Sequence, residues 1–242
     1  MAQASDYALI FDMDGVIVDN FDVQARAFQF LFRDLGLTTD AHRLLGRLTG
    51  MPAGTIIQSV FRHPVPEDDI ERYTAQREFL YRTLYWDDRQ EVRGLTTFLQ
   101  AARAAGFRIA LGTGSGNDTI GYIIDYLDLR RYFDEVITKD DIDRGKPHGD
   151  TYSVAAKKVG IPPERCLVFE DAIMGEQAAY QAGMRCLGLS TSVSADKFQA
   201  PLQVIKDFTE ITPNDILELL EQNTAVPTPS KELASRQYAQ EA

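Results

Sequence analysis

The chain has 242 residues, of which 44% are hydrophobic and 25% charged, which suits one large domain or a domain with a sizeable insertion and excludes collagen-like and wholly disordered chains. Subtracting 36 acidic from 25 basic residues leaves a net charge of −11, so neither a nucleic-acid backbone nor an anionic membrane is an expected partner. No stretch reads as a spanning helix or a secretory signal, and Cys166 and Cys186 read as small buried hydrophobes in a reducing compartment, so a cytoplasmic location is expected.

Along the chain, the short apolar run at residues 7–11 stops at Asp12-Met13-Asp14-Gly15 and reads as a buried strand ending in carboxylates. Residues 21–93 show no convincing strand but have amphipathic helical patterns at 25–35, 55–61 and 69–84, punctuated by Pro64 and Pro66. A helix follows at 95–105, then the strand RIALGT from Arg108, which ends at Gly112-Thr113-Gly114-Ser115, and a helical stretch at 117–126. Further strands are predicted at 135–138, 166–169 and 185–189, with helices at 151–159 and 174–182, the last stopped by Gly183. Beyond about residue 221 the chain turns polar and proline-containing and reads as a flexible tail, with room for a short helix at 231–242.

Strand and helix alternate, so the fold class is α/β: a doubly wound parallel sheet with helices on both faces and ligands at the strands' carboxyl ends. The expected division is a core of residues 1–20 and 94–222, a helical insertion at 21–93 and a tail at 223–242.

Four short pieces carry chemistry. Asp12 and Asp14 leave the first strand beside Gly15, a pattern that alone also fits a turn or a calcium-loop fragment. Thr113 and Ser115 offer hydroxyls among glycines whose N–H groups suit phosphate oxygens. Lys146 brings a compact cation beside Pro147, and Glu170-Asp171 places two oxygen ligands before a helix, where they would otherwise serve as a cap.

In this order, Asp12-x-Asp14-Gly15, Thr113, Lys146-Pro147 and Glu170-Asp171 resemble the four motifs of the haloacid dehalogenase superfamily of phosphotransferases, over roughly residues 7–189. FDMDGVIVD, LGTGS and FEDAIMGEQAAYQAGM resemble its helical-cap subfamily of β-phosphoglucomutases and sugar-phosphate phosphatases, most nearly the fructose-1-phosphate phosphatase-like members. Gly149 departs from the family's usual Lys-Pro-x-Pro-Asp.

The resemblance implies a phosphatase in which Asp12 attacks phosphorus to form an aspartyl-phosphate and Asp14 acts as acid and then base. It implies Mg2+ held by the Asp12 carboxylate, the Asp14 carbonyl and Asp171, with Glu170 as a ligand or hydrogen-bonded behind one. Thr113, the Gly114 amide and Lys146 would hold the phosphate oxygens, and Gln24, Gly50, Ser115 and Asn117 are the expected contacts to the rest of a small phosphorylated metabolite. The insertion would act as a cap, with hinges near residues 19–21 and at Arg93-Gly94. A monomer or small homo-oligomer is expected.

Rival readings weaken on the same residues. A signalling receiver places its phosphoacceptor on a later strand and has no helical insertion, and a degenerate scaffold would not retain every polar group the reaction needs. Dehalogenases manage without the second aspartate, and phosphonate hydrolases need a cap lysine, whereas the first lysine here is Lys139. A phosphomutase of the subfamily carries an arginine and a histidine where this chain has Ala53 and Gln24, which favours net hydrolysis.

Overall fold

The computed structural model describes residues 3–223 and 225–227. Six parallel strands, β1 (Ala8–Phe11), β2 (Arg108–Gly112), β3 (Glu135–Ile137), β4 (Cys166–Glu170), β5 (Arg185–Leu189) and β6 (Val204–Ile205), form one sheet in the order β3-β2-β1-β4-β5-β6. The chain first builds outward from β1 to β3 and then returns to the other side of β1. That reversal opens a crevice at the carboxyl end of β1, where open α/β sheets take their ligands.

The strands are short apolar runs because both faces are covered. Side chains alternate between the faces. Leu9, Phe11, Leu111, Leu167 and Phe169 belong to one apolar cluster with α5 (Leu95–Ala105) and α9 (Pro213–Gln222). Ala8, Ile10, Ala110, Val168 and Cys186 belong to another, with α7 (Asp150–Val159) and α8 (Ile173–Gln181). Phe11 and Phe169 stack with ring centroids 4.4 Å apart, so the two neighbouring strands that end in acids are locked together just beneath those acids.

The segment between β1 and β2 is helical: α1 (Phe21–Asp34), α2 (Ala41–Leu48), α3 (Ala53–Ser59) and α4 (Glu67–Leu84) pack around their own apolar cluster, which includes Phe28, Leu31, Phe32, Leu45 and Ile57. The sequence patterns start two to four residues late, and α2 was not among them. Asp40 initiates α2 by accepting a hydrogen bond from the Arg43 N–H at 3.0 Å, a short-range cap that apolar periodicity does not report.

The predicted helix at 117–126 is α-helical only over Asn117–Ile120, labelled α6, and continues as a π-turn over Gly121–Asp125. The wider turn allows Ile120, Ile123 and Ile124 all to be fully buried. Two-residue β6 was too short to recognise. The tail expected from residue 223 and the helix expected at 231–242 fall, apart from 223 and 225–227, outside the described residues. Among the described residues, no helix is long and apolar enough to cross a membrane.

Candidate active site

Asp12 follows the last residue of β1, and its backbone N–H donates to the Phe169 carbonyl at 3.1 Å, which fixes it between β1 and β4. Its carboxylate Oδ1 lies 2.8 Å from Lys146 Nζ. The same ammonium reaches Glu170 Oε1 at 2.5 Å. Tyr152 of α7 donates its hydroxyl to this Glu170 oxygen, while the N–H groups of Asp171 and Ala172 donate to Oε2 at 3.1 and 3.3 Å. Asp171 accepts from the Ser192 hydroxyl.

Two glycines make this crowding possible. A Cβ on Gly15 would run into the Asp171 carboxylate, and Gly15 also adopts φ +73°, a left-handed conformation that glycine takes without strain. A Cβ on Gly175 would overlap the Glu170 carboxyl group.

Oxygens of Asp12, Glu170 and Asp171 lie within 4.8 Å of one another, all buried. Burial pushes the Asp12 carboxyl up to about 7; Lys146 opposes the shift, and Glu170 and Asp14 add to it. Burial likewise lifts Asp171 well above the carboxylate range, reinforced by Glu170 and Asp12. For Lys146, burial disfavours the ammonium, but Asp12 and Glu170 outweigh it and raise its pKa, so the lysine is charged. One ammonium thus faces three carboxylates. An all-oxygen, buried and under-neutralised donor set fits a hard divalent cation such as Mg2+.

The Asp14 carboxylate lies outside this group. Its Oδ1 accepts from Asn20 Nδ2 at 2.6 Å and from Gln24 Nε2 at 3.1 Å. Burial raises the Asp14 pKa, with the Asn20 hydrogen bond and the Arg77 charge opposing the rise. Asn20 also donates to the Tyr81 hydroxyl at 2.7 Å. Thr113 is buried at the end of β2, where its Oγ1 accepts from the Ser115 N–H at 3.1 Å.

A cavity of about 880 Å³ collects Asp12, Asp14, Thr113, Gly114, Lys146 and Asp171 on the sheet side. Gln24 and Gly50 line it from the helical segment, with Ser115 and Asn117 on the opposite wall. Asn117 Nδ2 lies 3.5 Å from Asp140 Oδ2, at the long limit of a hydrogen bond. Glu170 is the one candidate that does not line the cavity; it is fully buried behind the wall and holds Lys146 from there.

Sequence reasoning missed Asn20, Tyr152 and Ser192, which hold Asp14, Glu170 and Asp171, and Arg77 and Glu78 on the cavity wall. Asn20 precedes a helix, so it reads as an ordinary cap, although its side chain makes no capping bond. For Tyr152, the available signal was an aromatic hydroxyl on the buried face of α7, which needs a polar partner.

The haloacid dehalogenase-like hydrolase family matches residues 9–189, three quarters of the chain, and the chain belongs to that family. Among curated relatives, the fructose-1-phosphate phosphatase YqaB of Escherichia coli (strain K12) is 33% identical over 177 residues, covering 73% of this chain and 92% of that protein. A phosphorylated carbohydrates phosphatase of Thermotoga maritima is 26% identical over 218 residues, 89% of this chain and 98% of its own. Among solved structures, a HAD hydrolase of family IA, variant 3, from Entamoeba histolytica aligns with a TM-score of 0.80 at 26% identity, covering 89% of this chain and 99% of that one. The protein is a phosphatase of the HAD-like hydrolase family.

Proposed function

We propose that the protein hydrolyses monophosphate esters of small carbohydrates through a covalent intermediate on Asp12. The observation that carries this reading is the pairing of Asp12, 2.8 Å from Lys146, with Asp14, whose carboxylate is held apart by Asn20 and Gln24. Two carboxylates in different settings suit two different tasks.

In the first step an Asp12 oxygen attacks phosphorus and the ester P–O bond breaks, with Asp14 giving its proton to the departing alkoxide. The raised Asp14 pKa favours the protonated form this step needs. In the second, water attacks phosphorus, Asp14 takes its proton, and the bond from Asp12 to phosphorus breaks to release phosphate. Thr113, Gly114 and Lys146 hold the phosphoryl oxygens, and Glu170 and Tyr152 keep Lys146 in place. Asp12, Asp171 and the Asp14 carbonyl, with Glu170 adjoining, would hold Mg2+. When bound, the ion offsets the repulsion between the carboxylates and the incoming phosphate. The four helices α1–α4 act as a cap that excludes water from the seated substrate.

The names of the E. coli and Thermotoga relatives support a carbohydrate phosphate as substrate. Gln24 occupies the position from which it donates to Asp14, and Ala53 brings no charge to the cavity wall, which favours water as the final acceptor. The test is a phosphorus NMR time course on hexose 1-phosphates with Mg2+, with and without hexose 1,6-bisphosphates. Release of inorganic phosphate without activation is the expected result; isomerisation to the 6-phosphate outpacing release overturns hydrolysis in favour of a mutase.

A further inference from the structure

Away from the phosphate end, the acids of the cavity wall outnumber its bases, Glu71, Glu78, Asp118, Asp140 and Asp143 against Arg77, Arg82 and Lys139. One face of α4 carries Glu71, Thr74, Glu78 and Arg82, spaced three or four residues apart and therefore aligned, with Arg77 beside them. Arg77 is only 6% exposed, its guanidinium stacked 4.7 Å from the Phe28 ring centroid and 5.3 Å from that of Tyr81. Its Nη1 donates to Glu78 Oε1 at 2.5 Å, while its buried Nε has no hydrogen-bond partner. The other Glu78 oxygen accepts from Thr119 Oγ1 of α6 at 2.9 Å and lies 3.9 Å from Arg82 Nη1. Both arginines of this wall therefore face one carboxylate. The remaining cation away from the phosphate end, Lys139, is exposed on the opposite wall, where Asp118, Asp140 and Asp143 also line the cavity.

A guanidinium fixed against a carboxylate, both residues lining the cavity, sets donors and acceptors side by side. Neighbouring hydroxyls of a polyol, each both donor and acceptor, match that pattern. A second phosphate or a carboxylate at this place would meet Glu78 with an arginine already engaged, in a cavity whose acids outnumber its bases.

We propose that the group leaving the phosphate is an uncharged polyol selected by the Arg77–Glu78 pair, and that Glu78 discriminates against sugar bisphosphates and sugar-acid phosphates. The inference rests on the phosphatase reading above and adds to it the charge of the leaving group and the residues that read it.

The test uses the full-length protein with Mg2+ and two matched pairs: sorbitol 6-phosphate against 6-phosphogluconate, and fructose 1-phosphate against fructose 1,6-bisphosphate. In each pair the members differ chiefly by one anionic group. Wild-type kcat/KM is expected to favour the uncharged member by about tenfold or more, because like charges repel at close range. Glu78→Gln removes the carboxylate that both arginines face and is expected to narrow that preference by about tenfold, chiefly by lowering KM for the charged member. Arg77→Lys keeps the charge but loses the planar fork and is expected to raise KM for both uncharged substrates.

Equal wild-type efficiency on both members of each pair overturns the inference without any variant, as does an unchanged preference in folded Glu78→Gln. Acetyl phosphate, which carries no polyol, reports on the chemistry alone. If the wild type releases phosphate from it but does not discriminate within the pairs, only the selection falls. If no phosphate is released from any of the compounds, the phosphatase reading falls and takes this inference with it.

Discussion

Asn20 links Asp14 to Tyr81: one amide nitrogen donates to the Asp14 carboxylate at 2.6 Å and to the Tyr81 hydroxyl at 2.7 Å. Tyr81 is a fully buried residue of α4, so the carboxylate assigned to proton transfer is tied through a single side chain to the helix whose wall faces the substrate.

Asn20 stabilises the ionised form of Asp14, so Asn20→Ala should raise the Asp14 pKa further. The pH–rate limb that reports ionised Asp14 should move to higher pH, while the Mg2+ requirement stays close to that of wild type. A limb that does not move would separate Asn20 from the titration of Asp14.

Asp12→Asn should abolish turnover with the fold retained, since the amide is a poor nucleophile toward phosphorus. Asp14→Asn should lower kcat by about 10²–10⁴, the usual range for a general acid or base. Single-turnover phosphate release, alongside circular dichroism, checks both. Activity of Asp14→Asn within a few-fold of wild type would move proton transfer elsewhere.

Metal binding should be linked to protons. The Asp12 carboxyl sits at about 7 rather than 3.8, and Asp171 is also raised, so below about pH 7 a cation must displace protons to bind. Apparent Mg2+ affinity should therefore fall as pH falls through this range, and calorimetry in buffers of different ionisation enthalpy should show proton release. Without metal the sign for stability is opposite to that of a paired carboxylate. The folded protein holds a proton that the unfolded chain gives up near 3.8, so stability should be lost as pH rises toward 7 and be restored by Mg2+. Asp171→Ala should raise the Mg2+ concentration for half-activation by at least about tenfold.

Neither cysteine should behave as a reactive thiol. Burial pushes the Cys166 thiol up to about 12 and Cys186 well above its ordinary value. A disulfide-exchange reagent such as Ellman's should label almost nothing in the native protein at pH 8 and both residues after denaturation. Rapid labelling of the native state would contradict the packing of both strands.

The α/β architecture was legible because its strands are near-continuous apolar runs that stop at acids or glycines, as at Phe11-Asp12 and Phe169-Glu170-Asp171. Residues in those stops could be named from sequence because Asp12-x-Asp14-Gly15, Thr113, Lys146-Pro147 and Glu170-Asp171 in this order resemble the family's four motifs, whereas each piece alone also fits a turn or a cap. Their supports were not legible. Tyr152 comes to Glu170 through the packing of α7 against the sheet, and Ser192 reaches Asp171 from a loop beyond β5; no local pattern encodes either meeting. Arg77 was hidden for another reason. In EDDIERYTAQREFLYRTL, charges occur on most faces of the helix, and only the cluster of Phe28 and Tyr81 shows that this arginine, unlike Arg72, is buried.

The two connections of the helical segment leave the sheet side by side. Val18 bridges to Asp14 on one side and to Glu91 on the other, the Gly15 N–H donates to the Val18 carbonyl at 2.7 Å, and the Val92 N–H donates to the Ile17 carbonyl at 2.8 Å. The excursion thus begins and ends at nearly one point, cross-tied at its base, and its length is mechanically independent of the strand register that holds Asp12. Descent with modification can therefore exchange, lengthen or resurface what lies beyond that tie, provided that Asn20, Gln24 and Tyr81 keep their hold on Asp14. A lineage can acquire a new diet of substrates while inheriting its catalyst unchanged.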